Sequence, residues 1–87
     1  MEAPNRDMNL PKDWQIKDNQ LFRELKTKNF VESVELIKKI TIEAETMNHH
    51  PDIEFGWGYL RIYLMTHSKG EITDLDYSLA RKLNSFL

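Results

Sequence analysis

Eighty-seven residues, 40% of them hydrophobic, are enough for one small core and too few for two domains. Twelve Lys and Arg against 14 Asp and Glu leave a net charge of -2, which argues against nucleic acid as a direct partner because a phosphate binder needs a basic excess. The absence of cysteine excludes a disulfide framework, a thiolate nucleophile and Cys-ligated zinc.

Residues 1–12 are polar, carry Pro4 and Pro11 and show no period, so they read as a mobile tail ahead of one domain, 13–87. The opening segment is acidic and does not resemble a signal peptide. No apolar run approaches 18 residues, so no membrane association is expected and the expected location is cytoplasmic. Trp14 to Lys17 alternates, Asp18-Asn19-Gln20 supplies turn chemistry, and Leu21 to Lys26 returns as a second strand, imperfectly because Leu21 and Phe22 are adjacent.

Phe30 to Met47 is the clearest helical stretch. Phe30, Val34, Ile37, Ile40, Ala44 and Met47 fall on one arc at 100° per residue, behind Asn29 as N-cap. Val31 and Ile42 align on the far side, as an incidental pair or as a face for a partner. Pro51 pushes His50 out of the helical region, so the helix ends by then. Ile53, Phe55 and Trp57 alternate on one face, Gly58-Tyr59 fits a tight turn, and Leu60 to Thr66 alternates again with Leu60, Ile62 and Leu64 towards the core. After the loop His67 to Gly70, Thr73 and Asp76 have capping-box spacing, and Leu75, Leu79, Leu83 and Phe86 give a last helix its stripe. The order β-β-α-β-β-α predicts an α+β fold, a four-stranded antiparallel sheet with helices packed on one face. Such a sheet has two open edges, and pairing with further copies would protect them.

Three histidines carry the candidate chemistry: His49, His50 and His67. Imidazole titrates nearest neutrality and suits proton transfer, although His49 and His50 also suit a helix C-terminus simply as cations. Adjacent residues diverge by about 100° on a helix, and no His pair stands at i, i+4, so no metal site is expected. No serine sits in a nucleophile elbow, and no glycine-rich loop could cradle phosphate. Glu45 and His49 are four apart, which places them on one helical side as a carboxylate–imidazole pair or an ordinary surface ion pair.

The ordered string Glu45-x-x-x-His49-His50-Pro51, then Trp57, then Thr66-His67-Ser68, then Thr73-x-x-Asp76 and Leu79-Ala80, resembles the pterin-4a-carbinolamine dehydratase family. The resemblance runs from about Trp14 to Phe86 and carries the same α+β fold. It implies loss of water from a 4a-hydroxytetrahydropterin to give a quinonoid dihydropterin, with no cofactor. It assigns proton transfer to His49 and His67 and substrate positioning within the catalytic group to His50. It also implies that Asn48, His49, His50, Pro51, Met65, Thr66, His67 and Ser68 contact the pterin. Glu45 and Asp76 become supporting carboxylates, and Trp57 a stacking wall. Asn48 stands where many members carry an acidic residue. The family also implies a homodimer or homotetramer. A second function follows from relatives recruited as dimerisation partners of a transcription factor: a non-catalytic binding module using a helix surface such as Val31 and Ile42.

Overall fold

The computed structural model describes residues 10–87. A short strand β1 (Gln15–Lys17) returns as β2 (Gln20–Lys26), helix α1 (Phe30–Met47) follows, then β3 (Asp52–Gly56), β4 (Tyr59–Leu64) and helix α2 (Asp74–Leu83). The strands form one antiparallel sheet in the order β1-β2-β4-β3, which is the expected α+β architecture.

Local chemistry sets the turns. Asp18 (φ 52) and Asn19 (φ 65) both take the left-handed region, as a two-residue hairpin turn requires, so Gln20 opens β2 and is not part of the turn. The β3–β4 turn is Trp57-Gly58, one residue earlier than the sequence suggested, because Gly58 (φ 87) supplies the positive φ at its second position. Asn29 caps α1 by accepting from Glu32 N, 2.8 Å away.

Pairing of Leu21 with Leu64, Arg23 with Ile62 and Leu25 with Leu60 places these residues on the face beneath the helices. Leu21, Leu60, Ile62 and Leu64 meet Ile40 of α1 and Leu79, Ala80 and Leu83 of α2 there. The adjacent Leu21 and Phe22 are thus explained: Leu21 enters the core, while Phe22 lies on the opposite face against Tyr63, with ring centroids 5.0 Å apart, and is shielded by Lys17. Ser33 holds α1 to the sheet, donating from a fully buried hydroxyl to the Gly56 and Tyr59 carbonyls.

Arg23 is the polar exception on the core face. Its guanidinium reaches Asn84 Oδ1, which also accepts from Trp14 Nε1 at 2.8 Å, while Asn84 Nδ2 donates to the Lys12 carbonyl at 3.0 Å. Burial pushes the Arg23 pKa down, opposed by Asp13 at 3.7 Å. The chain ahead of β1 is therefore fastened to the end of α2, and Pro11 is buried. The expected mobile tail divides accordingly: residues 10–12 pack on the domain, and residues 1–9 lie outside the described part.

Two expectations about the helix stripes are corrected. Leu75 is 47% exposed because it sits in the first turn of α2, ahead of the stretch that covers the sheet. Phe30 is 48% exposed because it starts α1 at the sheet's margin, where it packs on Phe55 with ring centroids 5.4 Å apart. Phe55 and Trp57 are also exposed, since β3 is an edge strand and the helices do not extend over its outer end.

Ile62 lies at the centre of this arrangement, fully buried on a middle strand. Ile62→Ala is expected to cost about 2–5 kcal/mol, read as a lower urea midpoint with an unchanged slope.

Candidate active site

The site begins with the way α1 stops. Asn48 takes the left-handed conformation (φ 50, ψ 44); its N–H bonds to the Glu45 carbonyl at 3.1 Å and that of His49 to the Ala44 carbonyl at 3.0 Å. This Schellman-type ending suits Asn, which tolerates left-handed φ. It also removes His49 and His50 from helical geometry, and the two rings diverge. His49 turns inward and is about nine-tenths buried; His50 turns outward and is half-exposed.

That divergence corrects the expected Glu45–His49 pair. Spacing of four implies a shared side only while the helix continues, and it ends between them. Glu45 Oε2 instead lies 2.6 Å from His50 Nε2. The partner of His49 is Asp76, with Nε2 to Oδ1 at 2.5 Å.

Asp76 is fully buried, and both its oxygens are used. Oδ2 accepts from the Thr66 hydroxyl and from the Thr73 backbone N–H, each at 2.8 Å. The Thr73 hydroxyl meets that of Thr66 at 2.6 Å and accepts from Leu75 N, completing the capping box of α2. A carboxylate only accepts, so Nε2 of His49 carries the shared proton, and Nδ1 keeps a lone pair in the neutral ring. One ring is thereby fixed in tautomer and orientation.

The third histidine comes from the loop after β4. His67 is exposed, with Nε2 3.4 Å from Oδ2 of Asp52 at the start of β3. Asp52 was missed in the sequence. Its only signal was its place one residue after the His-His-Pro run; what makes it a partner is the pairing of Asp52 with Tyr63, which carries the end of β4 alongside it.

Asn48, His49, His50, Met65, Thr66, His67 and Ser68 line one cleft of about 310 Å³. Seven of the eight expected substrate-contacting residues are therefore together. Pro51 lies next door, in a smaller pocket of about 160 Å³ whose wall includes Glu45, Ile53 and the other side of His50. Leu75 is the unexpected lining residue, which is why its side chain is exposed. Trp57 does not reach the cleft of its own chain: it lies at the opposite end of β3, about 17 Å away along the strand at some 3.4 Å per residue.

The cleft presents one immobilised imidazole, two accessible ones, the hydroxyl of Ser68 and the carboxamide of Asn48, while the Thr66 hydroxyl is already committed to Asp76 and Thr73. Such a set can give and take protons around a planar polar ligand. Because Asp76 joins the cap of α2 to His49, Asp76→Ala is expected to lower stability by about 2–4 kcal/mol in denaturant unfolding. Glu45→Ala, which breaks only a half-exposed pair, should leave the midpoint nearly unchanged.

Comparison with known proteins agrees with this geometry. The family profile described as pterin 4 alpha carbinolamine dehydratase matches residues 2–86. A Sulfolobus acidocaldarius protein provisionally named a pterin-4-alpha-carbinolamine dehydratase is 42% identical over 71 residues, covering 82% of this chain and 78% of its own. One from Trichodesmium erythraeum, similarly named, is 32% identical over 84 residues, covering 97% and 90%. Among solved structures, a transcriptional coactivator/pterin dehydratase from Brucella melitensis superposes with TM-score 0.82 at 28% identity, covering 98% of this chain and 97% of that one. A pterin dehydratase-like protein identified as a RuBisCO assembly factor in the alpha-carboxysome shares the fold at TM-score 0.65 and 19% identity, over 83% of each chain. With nearly the whole described chain matched and the expected histidine cleft formed, the chain belongs to the pterin-4a-carbinolamine dehydratase family.

Proposed function

We propose that this chain catalyses dehydration of a 4a-hydroxytetrahydropterin to the quinonoid dihydropterin. The observation that carries this reading is the convergence of His49 and His67 on one cleft, with His49 locked by buried Asp76. In the reaction the C4a–O bond breaks, the departing oxygen takes a proton and leaves as water, and the proton on N5 is removed to a base. Electrons from the N5–H bond form the new C=N bond, so no net oxidation occurs. One imidazole serves as acid and another as base, and both return to their starting state after proton exchange with solvent. His50 and the polar groups of Asn48 and Ser68 position the ring, with Met65 against its apolar surface and Pro51 in the adjoining pocket.

The protein works in this reading as a cytoplasmic homodimer or homotetramer without a cofactor. Among the described residues no helix is long and apolar enough to cross a membrane. A binding-module reading is favoured by a separate observation, the exposure of Val31 (64%) and Ile42 (65%) on the solvent side of α1. The coactivator and assembly-factor relatives named above give that reading its precedent.

The deciding experiment follows the ultraviolet absorbance of 4a-hydroxytetrahydropterin generated in situ. Wild-type protein should accelerate dehydration, and His49→Ala and His67→Ala should each lower the rate about 10²–10⁴-fold with circular dichroism unchanged. A folded wild type that does not exceed the spontaneous rate would overturn the dehydratase reading in favour of the binding module.

A further inference from the structure

Beside the histidine cleft lies the smaller cavity of about 160 Å³, which proton transfer leaves unused. Its floor is apolar, built by Ile40 and Ala44 of α1 with Ile53 of β3. Its polar groups are of one kind. The Thr41 hydroxyl donates its proton to the Ile37 carbonyl at 2.8 Å, so towards a ligand it can only accept. Glu45 places Oε2 on His50 at 2.6 Å and leaves Oε1 as a second acceptor. His50 is the wall shared with the cleft, and because it is half-exposed a ligand can run past its ring from one space into the other.

We propose that this cavity is the subsite for the substituent at C6 of the pterin, and that it selects a short, uncharged chain carrying hydroxyl groups. The assignment rests on the dehydratase reading. In that reaction C4a and N5 are the reacting atoms, and C6 is the next atom of the ring. With N5 towards the imidazoles, the substituent leaves the ring on their side of the cleft. The cavity beyond His50 is there to receive it.

Volume and charge set the chemical class. At about 30 Å³ per water-sized group, the cavity takes roughly five non-hydrogen atoms. Carbon atoms of such a chain lie on Ile40, Ala44 and Ile53, and its hydroxyls donate to Thr41 and Glu45. A carboxylate or phosphate fares differently. It would meet Glu45 and the negative C-terminal end of α1, and among the described residues neither cavity is lined by a lysine or arginine. Ile53 and Thr41 thereby become specificity-determining residues, and Glu45 the group that rejects anions.

Calorimetry tests this with 7,8-dihydropterins that carry at C6 hydrogen, a 3-hydroxypropyl chain or a 2-carboxyethyl chain. Wild-type protein should bind the hydroxypropyl compound about tenfold more tightly than the unsubstituted one, and the carboxyethyl compound most weakly. Ile53→Trp and Thr41→Phe plug the cavity from the strand and from the helix. Each should remove the tenfold gain and keep affinity for the unsubstituted ring near the wild-type value, with circular dichroism unchanged. Thr41 is exposed on α1, so its variant tests the idea even where the strand variant fails to fold. Glu45→Gln should bring the carboxyethyl compound up towards the other two. Equal affinity for all three compounds, or plugs that weaken all three alike, overturns the subsite while the turnover assay decides the dehydratase reading separately. Graded affinities in a protein without turnover overturn dehydration and support the subsite. Binding of none of the three overturns both.

Discussion

A buried carboxylate must be fully partnered, and Asp76 shows what that constraint organises. Its two oxygens hold the His49 ring, the Thr66 hydroxyl and the Thr73 backbone N–H. One side chain thus starts α2, fastens the strand end after β4 and orients an imidazole in the cleft. Fold stability and site geometry share this group, so a proton or a substitution there is felt by both.

The three histidines differ because their surroundings differ. His49 is enclosed and aligned by a buried acceptor, whereas His50 and His67 face solvent beside Glu45 and Asp52. The left-handed residue Asn48 produces this division by ending α1 one residue before His49. With a straight helical continuation the two rings would stay about 100° apart on one cylinder. A stop signal at one residue therefore assigns separate environments to two identical side chains. The opposite end of the molecule is held by a different polar device, in which Asn84 collects Arg23, Trp14 and Lys12 and ties both ends of the described chain to the sheet.

Much of this was legible in order and spacing. The Ile37-Ile40-Ala44-Met47 part of the α1 stripe, its Asn29 cap, the Thr73–Asp76 capping box and the Leu60-Ile62-Leu64 face are local patterns, and each stands in the structure where the pattern put it. The cleft residues came from the family resemblance, not from pattern, as two short segments, Asn48–His50 and Met65–Ser68, that the sheet brings together. Leu75 misled because a helical stripe tells which residues share a side, not where the covering sheet stops. Phe30 misled for the same reason, at the margin of the sheet beside Phe55. Glu45 misled because the i, i+4 rule holds only inside a helix.

The amino-acid order alone determined the elements, since periodicity, caps and turn residues act over a few positions and need no distant partner. It also determined which residue types were available for proton transfer. Only the tertiary structure decided which carboxylate serves which histidine. Asp76 is 27 positions from His49, Asp52 is 15 from His67, and each pair exists because strand register and helix packing bring the two together. Those distances depend on the summed geometry of the sheet and both helices, which no short stretch of sequence contains.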